Sequence, residues 1–394
     1  LPASTSDDSA VSEPRRVTIP ADPLSPMPGS IPSPPKILLV GEYLWPWYQE
    51  ACARALESLG CEIVRFGWLD DLYQPSSDSS QRVYRSFRHH LEDHFLLGPT
   101  LGKINHRLVE TARAEKPDVV WFYNVKHIYP TTVRALRKAL PRATFCQYAN
   151  DDPFSPDASK MRWRHFIRSI PFFDLHYCYR QRNIPDFQRH GARQVFLLRS
   201  YYIPEEDHPV PEAEIDSRFR CDVVFAGHYE DDGRLESLDA LARTGSSVNL
   251  FGGGWDGVET RLAADSPLQK CFPVRPVVGD DYRQAICGAK IALCFLSTLN
   301  RDTYTRRSFQ IPAMGSLMLS QYSEELAKMF EPDRDAAFFH NPDELIQKAR
   351  WYLEHEAERK EVARQGKQRV ERDGHDVTSR MRQFLETLKE AEKQ

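Results

Sequence analysis

Long apolar runs are what this chain lacks first. None of its 394 residues falls in a stretch apolar enough, over the roughly 20 positions a bilayer demands, to form a spanning helix. Excess charge of one sign is missing too. Lys plus Arg is 52 and Asp plus Glu is 56, for a net charge of −4. That balance gives no general electrostatic pull toward nucleic acid or anionic membrane. The eight cysteines (Cys52, Cys61, Cys146, Cys178, Cys221, Cys271, Cys287 and Cys294) form no Cys-x-x-Cys pair. Most sit in apolar runs, as in Thr144-Phe-Cys-Gln, and read as small core residues of a reduced protein. There is no Gly-x-Ser-x-Gly turn, no Walker loop and no zinc ribbon. The pair His90 and His94 has metal-like spacing, but the intervening Leu-Glu-Asp is not the His-Glu-x-x-His pattern, so it is read as structural. No metal ligand is expected. The first residues hold no apolar signal-peptide core, and the expected location is cytoplasmic.

Proline is concentrated where order is least expected. Seven prolines between Pro20 and Pro35 forbid regular helix or sheet, so residues 1–35 are expected to be a disordered leader. At Lys36-Ile-Leu-Leu-Val-Gly41 the composition changes abruptly. A short apolar run ending at Gly is the mark of a buried parallel strand. Further runs start at Glu62, Asp118, Thr144, Leu175 and Gln194, with helical stretches between them. Residues 204–217 are a Pro-bearing, acidic linker without hydrophobic period. The strand pattern then restarts at Asp222-Val-Val-Phe-Ala-Gly227 and recurs at Ser247, Ile291, Ser316 and Ala336. Alternating strand and helix implies doubly wound parallel sheets. Two Rossmann-like domains are expected, 36–203 and 218–376, with a terminal helix over 377–394. The apolar face of that helix, Met381, Phe384, Leu385 and Leu388, is expected to reach back to the first domain. A ligand is expected in the cleft between the halves, at the carboxyl ends of the strands.

The richest stretch is Thr303 to Ser320. Thr303, Arg307 and Gln310 are spaced to share one face of a helix, which leads through Gly315 into an apolar strand. A guanidinium suits a diphosphate and an amide suits ribose hydroxyls, although a solvated helix face accounts for the pattern equally well. Gly227 and His228 close a strand, and Arg234 opens the next helix. Together they are a candidate anion site built from backbone N–H groups. Glycine is scarce, at 19 residues, yet four fall between Gly252 and Gly257. Gly253 there permits close backbone approach to a ligand. In the first half, Glu42, Asp151 and Asp152 sit at strand ends and are candidate general bases, or caps and turn formers. Trp45, Trp47 and Tyr48 could stack on an acceptor or plug the space between domains.

Arg307-Ser-Phe309-Gln310-Ile-Pro-Ala313-Met-Gly315, followed by Ser323-Glu-Glu-Leu326 and Asn341-Pro-Asp-Glu-Leu345, resembles the GT-B glycosyltransferases. More narrowly it is similar to the CgeB-like, spore-maturation-protein branch of the family-1-like enzymes. Asp151-Asp152-Pro153 is similar to an element of that branch's first half. One departure stands out: the family has Glu where this chain has Gln310. The resemblance implies a cytoplasmic bacterial transferase moving a sugar from a nucleotide diphosphate sugar, UDP-linked above all. The acceptor would be a protein, polysaccharide or lipid-linked glycan. It implies donor contacts from Gly227, Arg234, Arg307 and Gln310, and no metal or other cofactor. An epimerase or hydrolase on the same fold, or a binding protein without turnover, are the alternatives.

Overall fold

The computed structural model describes residues 34–75 and 82–392. The leader expected over 1–35 therefore lies, save for its last two residues, outside the described residues. From residue 36 the chain builds six parallel strands. They are β1 (Lys36–Val40), β2 (Glu62–Phe66), then, beyond a small hairpin of β3 (Tyr73–Pro75) and β4 (Arg82–Tyr84), β5 (Val119–Tyr123), β6 (Thr144–Ala149), β7 (Leu175–Cys178) and β8 (Gln194–Leu197). Their order across the sheet is β2-β1-β5-β6-β7-β8. A second sheet follows from β9 (Cys221–Ala226), β10 (Val248–Phe251), β11 (Ala289–Cys294), β12 (Leu317–Gln321) and β13 (Ala337–Phe339), ordered β10-β9-β11-β12-β13. All pairings within these two sheets are parallel.

Why the strands read as unbroken apolar runs is now plain. Side chains alternate between faces, and both faces are covered by helices. Leu38, Val40, Val120 and Phe122 fill one side of the first sheet. Ile37, Leu39, Trp121 and Tyr148 fill the other. In the second sheet Val223, Phe225, Ile291 and Leu293 face one layer, and Val224, Ala292 and Met318 the opposite one. Each fully buried side chain of this size contributes about 1.5–3 kcal/mol.

Two features tie the halves together. The terminal helix Val377–Glu392 packs on the helix Gln49–Ser58 of the first half. Its Phe384 is fully buried and stacks on Trp121 with ring centres 4.4 Å apart. The two segments that pass between the halves run side by side: Tyr202 N donates to the His375 carbonyl at 3.1 Å, and Val377 N to the Tyr202 carbonyl at 3.0 Å. One continuous apolar cluster consequently runs from β1 through the terminal helix to β12.

Candidate active site

Strand direction decides what can meet between the halves. Gly227 follows β9, the glycine loop follows β10, and the Trp45–Tyr48 loop follows β1, so all three leave carboxyl ends. They border one cleft of about 330 Å³. Gly227, His228, Gly253, Arg307 and Gln310 all line it, as do Trp45, Trp47 and Tyr48.

The two glycine turns lie against each other. Gly227 N donates to Phe251 O at 2.8 Å, and Tyr229 N to Gly253 O at 3.0 Å. A Cβ at Gly252, whose φ is +141°, would overlap the Gly227 carbonyl, so only glycine fits there. Trp255 Nε1 donates to that same carbonyl at 3.0 Å and pins the turn. The N–H groups of His228 and Gly253 donate to nothing among the described residues, and both border the cleft.

Arg307 opens the helix Arg307–Ala313. Its Nη1 lies 3.1 Å from where a Cβ on Gly227 would stand, and its Nε has no hydrogen-bond partner. Among the described residues no carboxylate pairs with it. The adjacent Arg306 is different. It donates to the Trp47 carbonyl at 3.3 Å, contacts Asp207 at 3.5 Å and lies over the Trp47 and Tyr201 rings. Burial is the largest single influence and would depress its pKa, but the Asp207 carboxylate with the Tyr201, Tyr48 and Tyr282 hydroxyls together outweigh it, and the net shift is upward. Arg306 is thus a held cation and Arg307 a presented one.

Gln310 sits in a polar cluster that motif reading did not disclose. Its Nε2 donates to Asp207 Oδ1 at 2.8 Å, and its Oε1 accepts from the Tyr282 hydroxyl at 3.3 Å. Asp207 is buried, with Oδ2 also accepting from Ile203 N at 2.8 Å. Tyr282 and Tyr48 are both pushed upward by burial, so they stay neutral donors. Asp207 comes from the linker. Its only sequence signal was a carboxylate in a Pro-rich stretch, and its partner Gln310 is 103 residues away.

Other candidates lie elsewhere. Thr303 is not on the helix, which begins only at Arg307; it precedes it, and its hydroxyl donates to Glu325 at 2.6 Å. Gly315 stands at the amino end of β12, against Pro209 and Lys367, because the helix carries the chain away from the cleft before the strand begins. Arg234 does open its helix, yet its guanidinium folds back on Asp232 at 2.6 Å and on the His228 carbonyl at 2.5 Å, and is 2% exposed. It supports the turn from behind.

The carboxylates of the first half are also engaged. Asp152 is buried and accepts from Arg301 at 2.7 Å, Asn183 at 2.9 Å and Phe154 N at 3.0 Å. Asp151 accepts from Lys126 at 3.2 Å and Asn124 at 3.1 Å. Glu42 is half-buried and makes no hydrogen bond or ion pair among the described residues. None of the three lines the 330 Å³ cleft. His90 and His94 lie on the exposed side of the helix Phe87–Phe95, and no cluster of three or more metal-ligating side chains occurs among the described residues.

Comparison with known proteins agrees with this architecture. Residues 234–386 match the family profile described as Glycosyl transferase-like. Anabaena HepE, solved in complex with UDP-glucose, superposes with TM-score 0.64 at 15% identity, covering 90% of this chain and 100% of that one. Sucrose-phosphate synthase from Thermosynechococcus elongatus gives TM-score 0.63 at 12% identity, over 90% and 99% of the two chains. The trehalose 6-phosphate synthase of Burkholderia multivorans gives 0.61 at 12%, over 90% and 98%. No curated protein matches by sequence. The chain therefore has the GT-B fold, two parallel-sheet α/β domains facing a cleft, and its second half carries a glycosyltransferase-like domain.

Proposed function

We propose that this chain is a glycosyltransferase that takes its sugar from a nucleoside diphosphate sugar, and that it stands near the CgeB-like branch of the GT-B enzymes. The observation that carries the reading is Arg307. Among the described residues it is a cation without a carboxylate ion pair, set beside two glycine turns whose unpaired N–H groups, on His228 and Gly253, border the same cleft. Such donors offset charge on a departing diphosphate without reorganising. HepE was solved with UDP-glucose, and UDP-linked sugars are the favoured donors here.

The substitution of Gln for Glu at 310 has a physical account. A carboxylate at 310 would face the Asp207 carboxylate at hydrogen-bond distance. The amide instead donates to it, so the two side chains are joined by a hydrogen bond on the cleft wall. Asp207 and Gln310 together supply acceptors for ribose hydroxyls. Trp45 and Trp47, stacked 4.9 Å apart across the mouth, offer a platform for a glycan acceptor. If the reaction inverts configuration, Glu42 and Asp151 are the strand-end carboxylates left for a base, since Asp152 is committed. Cytoplasmic location and a metal-free mechanism belong to the same proposal.

A thermal-shift screen of nucleoside diphosphate sugars tests it. A ligand that binds only the folded chain raises its melting temperature. At least one donor is expected to do so, and incubation with an acceptor glycan should then release nucleoside diphosphate faster than donor alone. A panel without a single shift would overturn the assignment.

A further inference from the structure

The first half exposes an apolar stripe that the cleft does not use. On the helix Phe87–Phe95, Phe87, Leu91 and Phe95 are spaced four apart and share one face. Phe87 is 74% exposed, Phe95 49%, and Leu97 just beyond is 64% exposed. Val83, on β4, and Met161, on the helix Lys160–Ser169, are exposed on the two elements that contact this helix. Five or six large apolar side chains gathered in one region of an otherwise polar exterior are not scattered noise.

The charge beside the stripe is one-sided. The neighbouring helix Lys160–Ser169 places Lys160, Arg164 and Arg168 at four-residue intervals, and Arg162 between them. Arg164 reaches across to the carbonyls of Phe95 and Leu96, which joins the basic row to the apolar one. Burial lowers the Arg164 pKa first, and crowding by Arg168 and Arg162 lowers it further. Lys160 and Arg168 are exposed and pair with no carboxylate among the described residues. The acids on these two helices are Glu92 and Asp93. Both are buried and already bound, Glu92 to Arg88 and Asp93 to His127 and Arg162. A chain of net charge −4 thus carries a row of basic side chains bordering its apolar stripe, on two helices whose own acids are already bound.

We propose that this surface docks the protein on an anionic lipid bilayer. Aromatic and leucine side chains would enter the acyl boundary while the basic row meets the headgroups. A protein partner would need an acidic rim and an apolar ridge together, whereas a bilayer offers both over any area. Position supports the choice. Asp93 bonds His127, which follows β5, and Lys126 lies over the Trp163 ring of the second helix. Both helices therefore sit at the carboxyl edge of the first sheet, the edge from which the Trp45–Tyr48 loop reaches the cleft. The inference does not rest on the identity of the donor.

Co-sedimentation of the full chain with vesicles of phosphatidylcholine, alone or mixed with phosphatidylglycerol, decides it. Binding is expected to the mixed vesicles, to weaken with salt and to be slight on phosphatidylcholine alone. Phe87→Ser, Leu91→Ser and Phe95→Ser combined should weaken it about tenfold or more. Lys160→Gln with Arg168→Gln should do so by a similar factor. Both variants should keep the melting temperature of the unaltered chain. No binding to the mixed vesicles, or binding that survives both variants, overturns the proposal. So does self-association abolished by the serine substitutions in a protein that ignores vesicles.

Discussion

The carboxyl edges of the two sheets face the same cleft and are furnished oppositely. The second sheet leaves its edge open. Gly227 and Gly252 turn without side chains, and among the described residues two N–H groups stay free and Arg307 forms no ion pair with a carboxylate. The first sheet fills its edge. Asp152 is held by Arg301, and Arg180 beside it is held by Asp302, so both bonds cross from one half to the other. Tyr179 and Tyr304 stack across the same junction at 4.6 Å. Unpaired polar groups in a cleft await a ligand, whereas a buried pair with every lone pair used is a fastening. The difference teaches that strand-end position locates a cleft but does not by itself make a residue functional. What separates the two edges is whether each charge already has its counter-charge.

The sharpest way to break this contrast is to remove the open cation. Arg307→Ala should weaken donor binding by about 3–4 kcal/mol, a few hundredfold, since charge-assisted contacts to a diphosphate are lost. Melting temperature should stay put, because among the described residues no hydrogen-bond or ion-pair partner is orphaned. Titration calorimetry with UDP-glucose and related donors measures the first quantity. Equal affinity in the variant would move the diphosphate elsewhere.

Removing the fastening should do the reverse. Asp152→Ala leaves Arg301 and the Asn183 amide with Asp186 alone, and Phe154 N without its acceptor, at a junction where the Asp152 side chain is wholly buried. A loss of about 2–3 kcal/mol in urea-monitored stability is expected, with donor affinity nearly kept. A stable variant with lost turnover would instead mark Asp152 as part of the chemistry.

Much of this contrast was out of reach of the sequence, for identifiable reasons. Both large sheets were legible because parallel strands buried on two faces, such as Ile37–Val40 and Ile291–Cys294, have nowhere to place polar side chains. The β3–β4 hairpin was not, since Tyr73-Gln-Pro and Arg82-Val-Tyr are short and mostly polar. Spacing put Thr303 on the helix with Arg307, but the helix starts at Arg307 itself. Gly315 was grouped with the site although helix direction carries it to the far end of β12. Asp207 gave no motif at all, because its meaning lies in a side chain 103 positions away.

That pairing gives a finer test. Gln310→Glu, which restores the residue of the resembling family, sets a second carboxylate against Asp207 in a buried place. Stability is expected to drop by about 1–2 kcal/mol near neutral pH. Adding Asp207→Asn should recover most of it, since the charge is then only moved from one partner to the other. If the single variant is as stable as the parent chain, the two side chains are not coupled, and Asp207 loses its place on the donor wall.

The smallest effect should come from chelation, and its smallness is informative. A departing diphosphate needs positive charge from somewhere. In the second half that charge is available from Arg307 and from the N–H groups of His228 and Gly253. The acids that line the cleft are poorly placed to recruit a divalent cation instead. Glu206 pairs with Arg54 at 3.3 Å, and Asp207 already accepts from Gln310, Ile203 N and Arg306. A cation would have to displace several of these bonds to gain its oxygen ligands. Turnover is therefore expected to be unchanged in excess EDTA, and Arg307→Ala should not be rescued by added Mg²⁺ or Mn²⁺. Activity that collapses on chelation and returns with either ion would show that the open edge is completed by a metal rather than by arginine.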